Sequence, residues 1–203
     1  MGMSDSVVMP LYAQKISEYI NENLDAGSKI AWLGQQHTDY TDMFDGIVSK
    51  LDIDDLEHHF YDVMNQNQSP SFYWDVHDSW DIEGYDLVVG LRVLFLCDSA
   101  KKLINNIKEV CSKNEKVVFD FMSGNPSLID GETVFVKKNN SQTILPFFPD
   151  LYNDKFSVRS NHSDQVLTID DFYKNKICFE NLLTFRDTIK YRFYTLAELS
   201  IES

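Results

Sequence analysis

Cysteine is scarce in this chain. The three present, Cys97, Cys111 and Cys178, are odd in number, widely spaced and without a CxxC pair. That argues against a disulfide framework and fits a reducing compartment, where cysteine serves as a small apolar residue. No run approaches eighteen apolar residues, and the amino terminus shows no basic stretch followed by an apolar one. The expectation is a soluble, cytoplasmic protein with no membrane partner. Positive charge is also thin. Against 32 Asp and Glu stand 18 Lys and Arg, a formal net charge of −14, with no dense basic run. Such a surface repels a phosphate backbone, so nucleic acid is not an expected partner. Several chemistries lack their signatures too. There is no HxxxH or HExxH spacing for a metal, no GxSxG elbow for a serine nucleophile, and no GxGxxG for a nicotinamide dinucleotide.

What is present suits a packed globule. The hydrophobic share is 43% and the aromatic share 13%, and 203 residues are most simply one domain around one core. The chain is organised around residues 85–121. Leu87, Val88 and Val89 form a run too apolar to be half-exposed. From Asp98 the period becomes helical: Leu103, Ile104, Ile107, Val110 and Cys111 recur on one side, with Lys101, Lys102, Asn105, Asn106 and Lys108 on the other. Asp98 or Ser99 can cap that helix, since a short side-chain oxygen accepts an orphaned backbone N–H. Val117, Val118 and Phe119 then form a second buried run. Strand, helix and strand in this space make a βαβ unit with parallel strands and a right-handed crossover.

The remainder completes a sheet. Residues 1–8 read as a loose leader, and Pro10 as part of the first turn of a helix carrying Tyr12, Ile16, Tyr19, Ile20 and Leu24 on one stripe. Residues 29–33 read as a strand ending at Gly34, and residues 43–51 as a helix. Residues 58–63 and 72–74 read as further strands, making five with those of the βαβ unit. Residues 122–165 are rich in Gly, Pro, Asn and Ser, with one strand candidate at 133–136. Thr168 can cap a short helix, with Asp171 in the reciprocal position. Residues 188–199 alternate Ile189, Tyr191 and Phe193 with Lys190, Arg192 and Tyr194, a strand with one wetter face and so antiparallel. The expected fold class is α/β: a doubly wound, mostly parallel sheet with an antiparallel C-terminal strand.

This order resembles the class I S-adenosylmethionine-dependent methyltransferases, a Rossmann-like family, over roughly residues 10–199. The most specific part is residues 84–121, supported by residues 166–179, which look like the family's helix before its final hairpin. The resemblance implies S-adenosylmethionine as cofactor, with Gly34 and Gln35 opening the cofactor loop. It implies that Asp62 ends strand two as acceptor for the ribose hydroxyls, and that Asp75 or Asp78 lies near the adenine amine. Gly90, Leu91 and Arg92 would stand at the wall between cofactor and substrate. The family's acid and alternating glycines align with Trp32, Gly34, Gln36 and Thr38, so one glycine of the set is present. Loop glycines let the backbone approach the methionine end closely, and Gln36 and Thr38 narrow that space.

Each candidate has a plainer counterpart. Gly34 can be a turn, Asp62 a solvated strand end, and Arg92 a surface ion pair rather than the bidentate fork for a substrate carboxylate or phosphate. His37 and His77 are the candidate bases. Three histidine groups invite a metal: His58 and His59 with Asp62, His77 with Asp78, and His37 with Asp39. Adjacent strand residues point to opposite faces, so His58 and His59 cannot readily share one ion, and no metal is expected. Two functions remain: a methyltransferase acting on a small molecule or a protein, its substrate side built from 122–165, or a catalytically inactive module of the same fold used for binding or assembly.

Overall fold

The computed structural model describes residues 5–34, 51, 55–62, 71–91, 93–94, 99–123, 156–157, 166–167, 169–187 and 192–202. Helix α1 (Asp5–Asn23) leads into β1 (Lys29–Leu33), followed by β2 (Glu57–Asp62), β3 (Ser71–Tyr73) and β4 (Leu87–Gly90). Helix α2 (Ala100–Lys113) connects β4 to β5 (Lys116–Ser123). The short strands β6 (Phe156–Ser157) and β7 (Val166–Leu167) pair with each other, and helix α3 (Ile169–Lys174) precedes β8 (Ile177–Asp187) and β9 (Arg192–Ile201).

The main sheet has seven strands in the order β3-β2-β1-β4-β5-β9-β8. Strands β1 to β5 are mutually parallel, and β9 runs antiparallel to both β5 and β8. The two-residue period of a strand sends neighbouring side chains to opposite faces, and both faces here are buried. Ile30, Trp32, Leu87, Val89, Val118 and Leu196 pack on one face against Tyr12, Ile16 and Ile20 of α1. Ala31, Leu33, Val88, Val117, Phe119 and Ala197 pack on the other against Leu103, Ile107 and Val110 of α2. A sheet dressed on both sides explains why its central strands read as unbroken apolar runs. Tyr19 adds a polar tie between α1 and the sheet, its hydroxyl donating to Glu198 Oε2 at 2.5 Å.

Helix α2 forms where its period places it. The Ser99 backbone is extended, and its hydroxyl accepts the Lys102 N–H at 3.3 Å. Beyond the helix, the Asn114 amide donates to the Val110 and Ile82 carbonyls, each at 2.8 Å, and accepts the Tyr85 N–H at 3.0 Å. That one side chain ties the last turn to the entry of β4.

The structure departs from the sequence reading in three places. Helix α1 starts at Asp5, so Pro10 is its sixth residue and lies beyond the first turn. A proline there forgoes one backbone bond, to the carbonyl of Ser6, close to an end whose first amides are unpaired in any helix. The short helix expected from Thr168 is present as α3, but it fills only part of residues 166–179. These residues divide into β7, the six-residue α3 and the start of β8. Strand β8 escaped the sequence reading because its alternation is broken, with a register shift against β9 between Asn181 and Leu183. The helix expected at 43–51 lies outside the described residues apart from buried Leu51, and the strand expected at 133–136 lies outside them altogether.

Cys111 provides a test of the packing between α2 and β9. The residue is partly exposed, but its sulfur faces the sheet and donates to the Leu199 carbonyl at 3.7 Å. Burial, aided by the Glu198 charge, pushes its thiol up to about 12 from an ordinary 9.0. A raised thiol pKa stabilises the native state fully below the unfolded value. That contribution is lost as pH rises from about 9 toward 12. Folded Cys111 is therefore expected to have a thiolate fraction on the order of 10³-fold smaller at pH 8 than the unfolded chain. Mass spectrometry after timed alkylation, with and without urea, checks this; equal rates in both would show that the sulfur is open to solvent.

Candidate functional site

Strands β1 to β4 end on one edge of the sheet, and their final residues meet there. The Gly34 N–H donates to the Tyr61 carbonyl at 2.7 Å, and the Trp74 N–H donates to the Asp62 carbonyl at 3.1 Å. Gly34, Asp62 and Trp74 thus lie on three adjacent strand ends. Between β1 and β4 the strand order reverses its sense: β2 and β3 lie to one side, β5 to the other. Open α/β sheets bind ligands beyond the carboxyl ends at such a switch point.

Both candidate glycines have a reason within the protein. Gly34 sits at φ +76°, and a Cβ there would lie 2.0 Å from Val93 Cγ1. A Cβ on Gly90 would lie 2.1 Å from Phe119 Cε1 and 3.1 Å from Val93 Cγ2. Val93, itself buried, packs between the ends of β1 and β4 and closes the floor of the switch point. The space that a side chain is denied at Gly34 is used by this valine.

Asp62 is the last residue of β2 and is 4% exposed. Burying a carboxylate is costly unless hydrogen bonds or charge compensate, which makes this position a built one. Asp75 is half-buried just past β3. Its Oδ1 accepts the His77 N–H at 2.9 Å and its carbonyl accepts the Asp78 N–H at 3.0 Å, closing a turn. His77 and Asp78 are exposed on that turn, and the Asp78 carbonyl is held by the Asn106 amide of α2 at 2.9 Å. The structure therefore brings Gly34, Asp62 and Asp75 to one edge and turns Asp78 toward α2. Gln35, Gln36, His37, Thr38, Asp39 and Arg92 lie outside the described residues.

Trp32 stands where the resemblance places an acid. It is fully buried, and its indole N–H donates to His58 Nδ1 at 2.9 Å, with the two rings stacked at 6.0 Å. His59 points to the other face, toward Tyr85. Among the described residues, no group of three His, Cys, Asp or Glu side chains could hold a metal ion. Nor is any described helix long and apolar enough to cross a membrane.

Three features of this region were not singled out from the sequence. Trp74 is buried beside Gly34, and its indole N–H has no hydrogen-bond partner among the described residues. Val93 reads as one more apolar residue until its contact with Gly34 is seen. Asp120, wholly buried in β5, had a visible signal: an acid between Phe119 and Phe121 inside a strand.

No protein-family model matches the sequence, and no curated protein matches it either. Solved structures do. The N-methyltransferase NodS from Bradyrhizobium japonicum, in complex with S-adenosyl-L-homocysteine, superposes with a TM-score of 0.55 at 10% identity, covering 98% of this chain and 91% of that one. The magnesium protoporphyrin IX methyltransferase of Synechocystis matches with a TM-score of 0.53 at 10% identity, over 100% and 89% of the two chains. An S-adenosylmethionine-dependent methyltransferase from Clostridium acetobutylicum matches at 0.51 and 13% identity, over 98% and 96%. Sheet order, the single reversed strand near the C-terminus and this likeness of architecture agree: the chain has the class I S-adenosylmethionine-dependent methyltransferase-like fold.

Proposed function

We propose that the chain is an S-adenosylmethionine-dependent methyltransferase acting in the cytoplasm on a small molecule or a protein side chain. The observation that supports this reading is Asp62, an acid 4% exposed at the carboxyl end of β2, next to the switch point. Such a group suits two vicinal hydroxyls, because a carboxylate has two oxygens and four acceptor positions. Asp75, half-buried one strand further out, would serve the adenine amine in preference to the exposed Asp78. When bound, the cofactor supplies a methyl group on a sulfonium, an electrophile that needs no metal. The chain's own part is to orient the acceptor and exclude water. Arg92 would hold an anionic group on the substrate, and His37 or His77 would take a proton where the acceptor must lose one. Residues 122–165 would roof the substrate side of this single domain. The chain's net charge of −14 speaks against a nucleic-acid substrate.

A second reading, the inactive binding or assembly module, is favoured by one set of residues. Gln36 and Thr38 stand where the loop glycines are expected, and the missing Cβ of Gly34 is used by Val93. Calorimetric titration with S-adenosylmethionine separates the two. The methyltransferase reading expects saturable binding, weakened at least tenfold in Asp62→Ala and in Asp62→Asn, since a charged hydrogen bond contributes about 1.5–3 kcal/mol and about 1.4 kcal/mol is one decade. Asp78→Ala, altered on the outer turn, should bind as the wild type does. Absence of saturable binding to wild type at millimolar cofactor would leave the inactive module standing.

A further inference from the structure

Four side chains on one face of β2 and the segment before β4 form a continuous hydrogen-bonded chain that the proposed function does not use. His59 Nε2 lies 2.8 Å from Glu57 Oε1, and His59 Nδ1 lies 2.7 Å from the Tyr85 hydroxyl. The Tyr85 hydroxyl lies 2.8 Å from that of Tyr61. Phe72 of β3 stacks on Tyr61 at 5.0 Å and tilts against His59 at 5.3 Å, while Tyr85 meets both His59 and Tyr61 edge-on. The rings hold the polar atoms in register, and Tyr85 is buried while His59 and Tyr61 keep partial access to solvent.

The donors in this chain can be assigned. A carboxylate only accepts, so neutral His59 carries its proton on Nε2 and donates it to Glu57. Its Nδ1 then bears a lone pair and must accept the Tyr85 O–H. The Tyr85 oxygen is left to accept the Tyr61 O–H. All hydrogen bonds run one way, from Tyr61 through Tyr85 and His59 to Glu57. Protonated His59 has N–H groups on both nitrogens. Its Nδ1–H must donate to the Tyr85 oxygen, so the Tyr85 hydroxyl proton must lie toward the Tyr61 oxygen. The Tyr61 O–H is then released outward.

We propose that Glu57, His59, Tyr85 and Tyr61 form a proton-responsive switch, in which protonation of His59 reverses the hydrogen-bond direction along the chain and presents the Tyr61 hydroxyl as a free donor at the β2–β3 edge. The protons balance. One enters at the Tyr61 oxygen, the Tyr61 proton passes to Tyr85, the Tyr85 proton passes to His59 Nδ1, and each hydroxyl ends with one proton. Neither phenol ionises in this exchange. Burial holds the Tyr85 proton, aided by the Glu57 charge. Burial likewise raises Tyr61, and the Asp81 charge adds to it. Among the described residues, Glu57, Asp81 and the two tyrosines bear on the chain from β2 and from the segment before β4, and Lys113 of α2 pairs with Asp81 at 3.7 Å.

The test is nuclear magnetic resonance on the full chain, with ¹⁵N-labelled histidine and ¹³Cζ-labelled tyrosine, from pH 8 down to 5. His59 is assigned with a His59→Gln variant, and Tyr61 and Tyr85 with their phenylalanine variants. At pH 8, His59 should show the Nε2–H tautomer. On acidification, the Cζ signals of Tyr61 and Tyr85 should move with the midpoint of the imidazole. In Tyr85→Phe, which cuts the chain, the Tyr61 response should be lost while His59 still titrates. In Tyr61→Phe, Tyr85 should still follow His59. An Nδ1–H tautomer at pH 8, an imidazole that does not titrate in this range, or a Tyr61 signal indifferent to it in wild type each overturns the switch. The wild-type readouts decide the matter even where Tyr85→Phe does not fold.

Discussion

Gly34→Ala is expected to lower the unfolding free energy by about 2–5 kcal/mol. Two separate terms make up that figure. The left-handed backbone at φ +76° costs a residue with a Cβ about 1–2 kcal/mol. The new methyl would also stand 2.0 Å from Val93 Cγ1, and an added carbon in a filled site typically costs about 1–3 kcal/mol. A double-mutant cycle separates them. Val93→Ala removes the clashing methyl and leaves a Cβ at an ordinary 3.4 Å, so the double variant should recover the steric part and keep the backbone part. Urea denaturation of the four proteins measures this. A single variant within about 0.5 kcal/mol of wild type would show that Val93 does not occupy the place assigned to it. The result also bears on how Gly34 variants are read in binding work: loss of ligand binding there would follow from loss of the folded edge, which is why Asp62 carries the test of cofactor binding.

Ile107→Ala is expected to cost about 2–5 kcal/mol, the usual range for emptying a filled core position. Ile107 is fully buried in the layer between α2 and the sheet, among Leu103, Val110 and Val117. Its neighbour Asn105 is exposed on the same helix, and Asn105→Ala should fall within about 0.5 kcal/mol of wild type. Equal effects for the two would mean that the helix presents a different face to the sheet. The same urea measurement applies, and a midpoint shift without a change of slope is the expected form.

Much of the architecture was legible because it rests on local pattern. The apolar runs at Leu87–Val89 and Val117–Phe119, with a helical period between them, predict a βαβ unit. In the structure these strands pair in parallel, Val88 opposite Val117. The reversed direction of the final strand is borne out, but not the wetter face read for it: Leu196 and Ala197 bury β9 on both faces. Strand β8 was not legible, since its register shift at Asn181 and Leu183 breaks the two-residue period that betrays a strand. Within the site, Asp62 could be picked out because an acid closing an aromatic strand is chemically conspicuous. Val93 and Trp74 could not, because apolar residues near a strand end carry no mark of what they touch.

The amino-acid sequence alone determined the sheet's parallel core, its closing antiparallel strand, the buried face of α2 and the opposed directions of His58 and His59. All of these follow from periodicity and burial, which neighbouring residues impose on one another. The tertiary structure alone decided the contacts between residues distant in the chain. It set Val93 against Gly34, seated the Trp32 indole on His58, and placed Tyr85 at hydrogen-bonding distance from both His59 and Tyr61. Such contacts depend on which strands become neighbours and in what register. A local pattern can permit that choice but cannot make it, because the energy that selects it comes from surfaces buried only when the whole sheet has closed.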